Sequence, residues 1–222
     1  MKSIKNLDDI SDGRFYGIND MVEADSGGCH GCSVCCHGVG DLVVLTPFDV
    51  FEIVNHSNVS FDEILVDRIE MHLDDKIKLP HMRMNGESQR CSFLNTNDRC
   101  SIHGVRPNIC RLFPLGRVYK EDDFKYFLQV NVCKGQKLQA IKVKKWIDID
   151  NYHENKAFIL EWYRLLKALT FRIKFIRDVE ELNEINNYLL DTFYRIQLKE
   201  GENFYSAFYD RLPESKLKLG II

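Results

Sequence analysis

Four cysteines fall within eight residues, Cys29, Cys32, Cys35 and Cys36, with Gly27, Gly28, Gly31 and Gly38 around them. A tight turn can aim two thiolates at C-x-x-C spacing toward one metal, and glycine lets the backbone approach sulfur without a Cβ in the way. Cys29, Cys32 and Cys35 form the C-x-x-C-x-x-C run that gives an iron-sulfur cubane three ligands, the fourth coming from farther along the chain. A ferredoxin would place its next cysteine after three intervening residues, before a proline; here Cys36 follows at once. Adjacent side chains of an extended stretch point to opposite faces. Cys35 and Cys36 are therefore not expected to share one mononuclear tetrahedral ion, which implies more than one metal or a polynuclear cluster.

The remote cysteines are Cys91, Cys100, Cys110 and Cys133, separated by 8, 9 and 22 intervening residues. Eight thiolates suffice for two four-cysteine sites or one larger assembly, and the sequence leaves the pairing open. Thiolate ligation suits iron and zinc alike. A mononuclear zinc site typically draws two ligands from each of two knuckles, and no second C-x-x-C occurs here. The expected cofactor is thus an iron-sulfur cluster, 4Fe-4S in the simplest case and in one or two centres, with zinc as the alternative.

Composition agrees with a metal-dependent rather than a disulfide-bonded chain. The N-terminus has no apolar run of signal-peptide length and no segment approaches a membrane span, so the expected location is cytoplasmic, where a reducing environment disfavours disulfides. At 222 residues with 45% hydrophobic residues the chain can bury a core. Its net charge of -3 gives no field that recommends nucleic acid or anionic lipid. Expected partners are metal ions and a protein substrate or redox partner, with no membrane and no nucleic acid. All eight cysteines lie between residues 29 and 133, so the chain divides into an N-terminal wrapping segment (1–28), a cysteine-bearing domain (29–135) and a cysteine-free helical region (136–222).

The elements that must position the thiols have local signatures. Thr46, Pro47 and Asp49 read as an N-cap, a first-turn proline and a dipole-favoured carboxylate, starting a helix that runs to about Asn55 after a short strand Leu42–Leu45. Ser60 with Glu63 makes a capping box, and Phe61, Ile64, Leu65, Ile69 and His72 share one helical face, predicting a helix to about Leu73. Leu79–Met84 and Gln89–Leu94 around Asn85-Gly86 read as a hairpin, as do Gly116–Lys120 and Phe124–Val130. Pro107 starts a short helix bearing Cys110, which Pro114 stops. Phe158 to Ile176 and, after Asp178, Val179 to Ile196 recur at helical spacing. The expected fold class is α+β, mostly helical with short β-hairpins, a cysteine-rich metal-binding domain covered by a C-terminal helical hairpin.

Other side chains carry weaker signals. His30 and His37 flank the cluster, but thiolates are plentiful, which favours supporting or exposed roles. His103 can hydrogen-bond a coordinating sulfur or serve as a structural histidine. Arg106 and Arg111 can offset thiolate charge or form ordinary surface pairs. Lys142, Lys144, Lys145 and Trp146 make a small basic-aromatic patch better read as a solvated face, and the Phe158–Ile176 stripe reads as core. No phosphate-binding loop, dinucleotide fingerprint, nucleophile elbow or C-x-x-x-C-x-x-C run is present.

The order Cys29 to Cys36, Leu45-Thr46-Pro47-x-Asp49, Cys91-Ser92-Phe93-Leu94, Cys100-Ser101-Ile102-His103-x-x-Arg106-Pro107-x-x-Cys110-Arg111-x-Phe113-Pro114, and Cys133 resembles the YkgJ-like cysteine-cluster family, with its zinc- or iron-chelating CxxCxxCC domain. The resemblance covers residues 29 to 135. It implies metal binding through these cysteines. The family includes flagellin lysine N-methylases, so the resemblance also implies, as one activity, a cluster-dependent methyltransferase or oxidoreductase. His103 stands where a tyrosine is common, and this chain is much shorter than those methylases.

Overall fold

The computed structural model describes residues 7–25, 32–39, 42–133 and 138–221. In chain order the elements are β1 (Met21–Asp25), α1 (Pro47–Ser57), α2 (Phe61–Asp67), β2 (Ile69–Asp74), β3 (Ile77–Met82), β4 (Met84–Asn85), β5 (Arg90–Cys91), α3 (Asn108–Leu112), β6 (Leu115–Tyr119), β7 (Phe124–Leu128), β8 (Gln139–Lys142), α4 (Val143–Ile147), α5 (Tyr152–Ile173), α6 (Val179–Phe193) and α7 (Phe204–Lys218). The fold is α+β. The strands pair two by two, β1 with β8, β2 with β3, β4 with β5 and β6 with β7.

The chain forms two compact units, each assembled from separated stretches. One contains the described residues up to Val44 together with Met82–Asp150; the other contains Leu45–His81 and the described residues from Asn151 onward. Leu45–His81 therefore groups with the C-terminal helices, although it lies between cysteines in sequence.

In the first unit, β1 and β8 run antiparallel with Met21 opposite Lys142 and Asp25 opposite Gln139, the register shifting between Glu23 and Asp25. Val22 and Ala24 point inward while their neighbours face solvent, the two-residue period of a half-buried strand. The β6–β7 hairpin pairs Leu115 with Leu128 and Tyr119 with Phe124. Tyr16 exchanges two backbone hydrogen bonds with Tyr126 of β7, so the N-terminal segment adds to that hairpin's edge. Trp146 is buried and its indole N–H reaches the carbonyls of Leu112 and Phe113, at 3.1 and 3.2 Å. The aromatic member of the basic patch is thus core, which ties α4 to the helix carrying Cys110.

The second unit is built on aromatic packing. Phe158 of α5 is fully buried, with the rings of Phe204 and Phe208 of α7 at 5.1 and 4.8 Å, and Trp162 lies 5.4 Å from Phe193 of α6. Both helix starts form capping boxes: Thr46 accepts from the Asp49 amide and Ser60 from that of Glu63, while each acidic side chain reaches back to its cap residue's amide. The Lys76 ammonium closes the C-terminal end of α5, donating to the carbonyls of Lys174 and Ile176 at 3.0 and 2.7 Å.

Several expected elements differ. The helix from Phe61 ends at Asp67 rather than Leu73, because Ile69–Asp74 pairs with Ile77–Met82 through a turn in which Asp75 and Lys76 both take positive φ. Asn186 of α6 fixes that turn, accepting from the Lys78 amide at 2.6 Å and donating to the Lys76 carbonyl at 3.0 Å. The Asn85-Gly86 hairpin exists but is short, Met84–Asn85 against Arg90–Cys91, since β3 is already paired with β2. β1, β8 and α7 carried no sequence expectation. The first two pair across more than a hundred residues, and α7 has Pro213 in its interior.

Candidate metal centre

The sequence around the cysteine doublet folds into a single 3-10 turn, Val34–Cys36, closed by the Cys36 amide on the Ser33 carbonyl at 2.8 Å. The His37 ring binds the same carbonyl at 2.9 Å, and a bridge from His37 to Arg90, with the Gly38 amide on Gln89, docks this turn on β5. This corrects the expectation for the doublet. Cys35 and Cys36 are not in extended backbone, and their thiols converge closely enough for Cys36 to donate a hydrogen bond to the Cys35 sulfur.

That bond holds Cys35 down at a pKa of about 7 against an ordinary 9.0; burial opposes it, and the charges of Arg106 and His37 assist. The same bond pushes Cys36 far up, reinforced by burial and by the charges of Cys35, Cys91 and Cys100. Burial also raises Cys91 and Cys100. Cys35 acts on both of these thiols and Cys100 on Cys91, so four sulfurs from two stretches of chain sit within one another's field.

Cys91 and Cys100 are presented by a knuckle. Leu94 and Cys100 form an antiparallel bridge, the Ser101 amide and hydroxyl both bind the Phe93 carbonyl, and the Asn95 side chain accepts from the amides of Asn97 and Arg99. Within this knuckle the backbone amide of Phe93 donates to the Cys91 sulfur and that of Ile102 to Cys100. Amide donors two residues beyond a cysteine favour its thiolate, the form that ligates metal. Sequence reasoning missed Arg90. It grips the knuckle through Asp98, the Leu94 carbonyl at 3.0 Å and the Asn95 carbonyl, and its charge favours ionised Cys91. Its only sequence signal is an arginine next to Cys91 with an aspartate eight residues on.

Cys32 is half-buried just before the 3-10 turn, Cys110 half-buried on α3, and Cys133 half-buried after β7. Cys29 and His30 lie outside the described residues. Among the described residues no three His, Cys, Asp or Glu side chains form a group able to hold a metal ion. The triplet expected to supply three corners of a cubane requires Cys29.

The two arginines after the knuckle have different roles. Arg111 donates to the carbonyls of Arg106, Asp148 and Gly104, which makes it a backbone clamp. The charge of Arg106 favours the ionised forms of Cys35 and Cys100, and its Nη1 meets His103 Nε2 at 2.9 Å. The buried Arg106 Nε–H has no acceptor among the described residues. Paired thiols and backbone amides that favour thiolate at Cys91 and Cys100 are the chemistry a thiolate-bound metal uses.

Fold and donor set together define a cysteine-rich α+β protein of the metal-chelating kind. The chain belongs to the CxxCxxCC family, described as a "Putative zinc- or iron-chelating domain", whose model matches residues 28–141, just over half the chain. Neither the comparison with curated proteins nor that with solved structures returns a match. Among the described residues no helix is long and apolar enough to cross a membrane.

Proposed function

We propose that this chain carries an iron-sulfur centre and works in redox or cluster-dependent chemistry on a protein partner. What supports the reading is the CxxCxxCC match over residues 28–141, with Cys35, Cys36, Cys91 and Cys100 acting on one another through their charges. The thiolates would come from the eight cysteines, Cys29, Cys32, Cys35 and Cys36 in the first run and Cys91, Cys100, Cys110 and Cys133 beyond it. The bound cluster would supply one-electron chemistry. The protein's own part is to keep Cys35 ionised near neutral pH, to donate amide hydrogen bonds to Cys91 and Cys100, and to balance negative charge with Arg90 and Arg106.

A second reading, a structural zinc module, is favoured by the same grouping, because two thiolates from the turn and two from the knuckle match the two-plus-two supply of zinc sites. The C-x-x-C-x-x-C run inclines the choice to iron. Protein made and purified without oxygen should be brown, with iron and acid-labile sulfide in comparable amounts. Stoichiometric zinc, no sulfide and no visible charge-transfer absorption would establish the zinc reading instead.

A further inference from the structure

We infer that the corner between α5 and α6 is a self-association surface: a second copy of this chain docks its own corner there, with Phe171, Phe175 and Val179 at the centre and the basic flank of each copy against the acidic flank of the other. These three side chains are 75%, 76% and 66% exposed and lie within nine residues of chain. With three-quarters of roughly 200 Å² each in water, the two rings leave roughly 300 Å² uncovered, the scale of the largest apolar patch on a typical monomer. The corner that displays them is held firmly. Lys76 donates to the carbonyls of Lys174 and Ile176 at 3.0 and 2.7 Å, and the Asp178 carboxylate caps α6 by accepting from the amides of Glu180 and Glu181. Arg172 spans the two helices to Glu181 at 3.3 Å and packs against Gly220, where a Cβ would come 2.8 Å from its Nε, so the chain end after α7 backs the corner. Rings fixed by such a frame lose little freedom on docking.

The charges select the occupant. On α5, Lys167 and Lys174 stand four residues before and three after Phe171, the spacing of one helix face, and Lys174 Nζ lies 5.6 Å from the centre of the Phe175 ring. On α6, Glu180 and Glu184 follow Val179 one turn apart. All four are exposed, and none has an ion-pair partner among the described residues. An anionic membrane, a nucleic acid or any surface of one charge sign would be repelled by one of these flanks. An apolar centre with a basic flank on one side and an acidic flank on the other finds its complement in itself, because a two-fold axis through the centre sets the α5 flank of each copy on the α6 flank of the other.

Sedimentation equilibrium of the full chain, purified without oxygen and kept reduced so that no disulfide links two copies, reads this directly. At low salt the average mass should rise with concentration from 26.0 kDa toward twice that value, and added salt should weaken the association. Phe175→Glu, at an exposed position, should hold the chain at the monomer mass with an unchanged melting temperature. A variant with Lys167→Glu and Lys174→Glu, and another with Glu180→Lys and Glu184→Lys, should each stay monomeric alone, since like charges then face each other. Mixed together they should form a dimer, because each reversed flank meets the opposite sign on the other chain. An unaltered chain that stays at 26.0 kDa at every concentration would overturn the inference. So would undiminished association of Phe175→Glu, or two charge-reversed variants that each associate like the unaltered chain. If either charge variant does not fold, Phe175→Glu and the salt series decide the matter between them.

Discussion

Metal uptake should depend steeply on pH, and the thiol group fixes how steeply. Between pH 7 and 9 the metal-free chain carries Cys35 as thiolate, its pKa held at about 7, while Cys36, Cys91 and Cys100 stay protonated because theirs are raised above 9.0. Ligation requires every sulfur to be ionised, so filling a centre made of these four should release about three protons in this window, and about four below it. The apparent association constant should then rise about a thousandfold per pH unit. Zinc competition against a chromophoric chelator at two pH values measures the slope. Calorimetry in two buffers of different ionisation enthalpy counts the protons independently. Release of one proton or none would refute the grouping, since it would mean that the sulfurs binding metal are not these thiols. The stability of the metal-free chain follows the same groups. Cys35, depressed, contributes stability that is complete above pH 9 and is lost as pH falls through about 7. The three raised thiols contribute stability that is complete below pH 9 and is lost as pH rises through their folded values, so the metal-free chain should be most stable near pH 9.

Three further outcomes are expected. Phe208→Ala removes a fully buried ring that meets Phe158 at 4.8 Å and Phe193 at 5.4 Å, and should cost about 3–5 kcal/mol in urea unfolding. A loss under about 1 kcal/mol would mean the aromatic core is not packed as described. Thr46→Ala leaves the amide of Asp49 without its cap acceptor and should cost about 1–2 kcal/mol, read as a lower melting temperature without change in metal content. Cys91→Ser should lower the metal-to-protein ratio measured by elemental analysis; an unchanged ratio would remove Cys91 from the ligand set.

What the sequence revealed was what local chemistry decides. Thr46 with Asp49 and Ser60 with Glu63 are three residues apart, and each box forms because its partners meet within one turn. Ile69 and His72 continue the face of the helix that begins at Phe61, so the periodicity alone extends it past its actual end at Asp67. The strand that replaces it depends on Lys78 and on Asn186, more than a hundred residues away. The cysteine run was legible by spacing as the mark of a metal-chelating domain. Their grouping was not. The doublet's orientation depends on a 3-10 turn with no local marker, and its meeting with Cys91 and Cys100 depends on His37 docking against Arg90. Arg111, for which the sequence offers either thiolate charge balance or an ordinary surface pair, binds carbonyls because those of Asp148 and Gly104 come within its reach.

The pairing of β1 with β8 bears on the order in which the protein can be made. Every cysteine lies in the chain between these two strands, from Cys29, four residues after β1, to Cys133, six residues before β8. A ribosome adding about 5–20 residues per second needs roughly 5–20 s to travel from the first cysteine to the last. Through that interval the early thiols are outside the exit tunnel before their distant partners exist, and β1 has no strand to pair with. Metal delivered during synthesis would meet an incomplete ligand set. A centre that draws on both the early and the late cysteines can therefore be completed only after the chain has passed Cys133, and β1 finds its partner only six residues later.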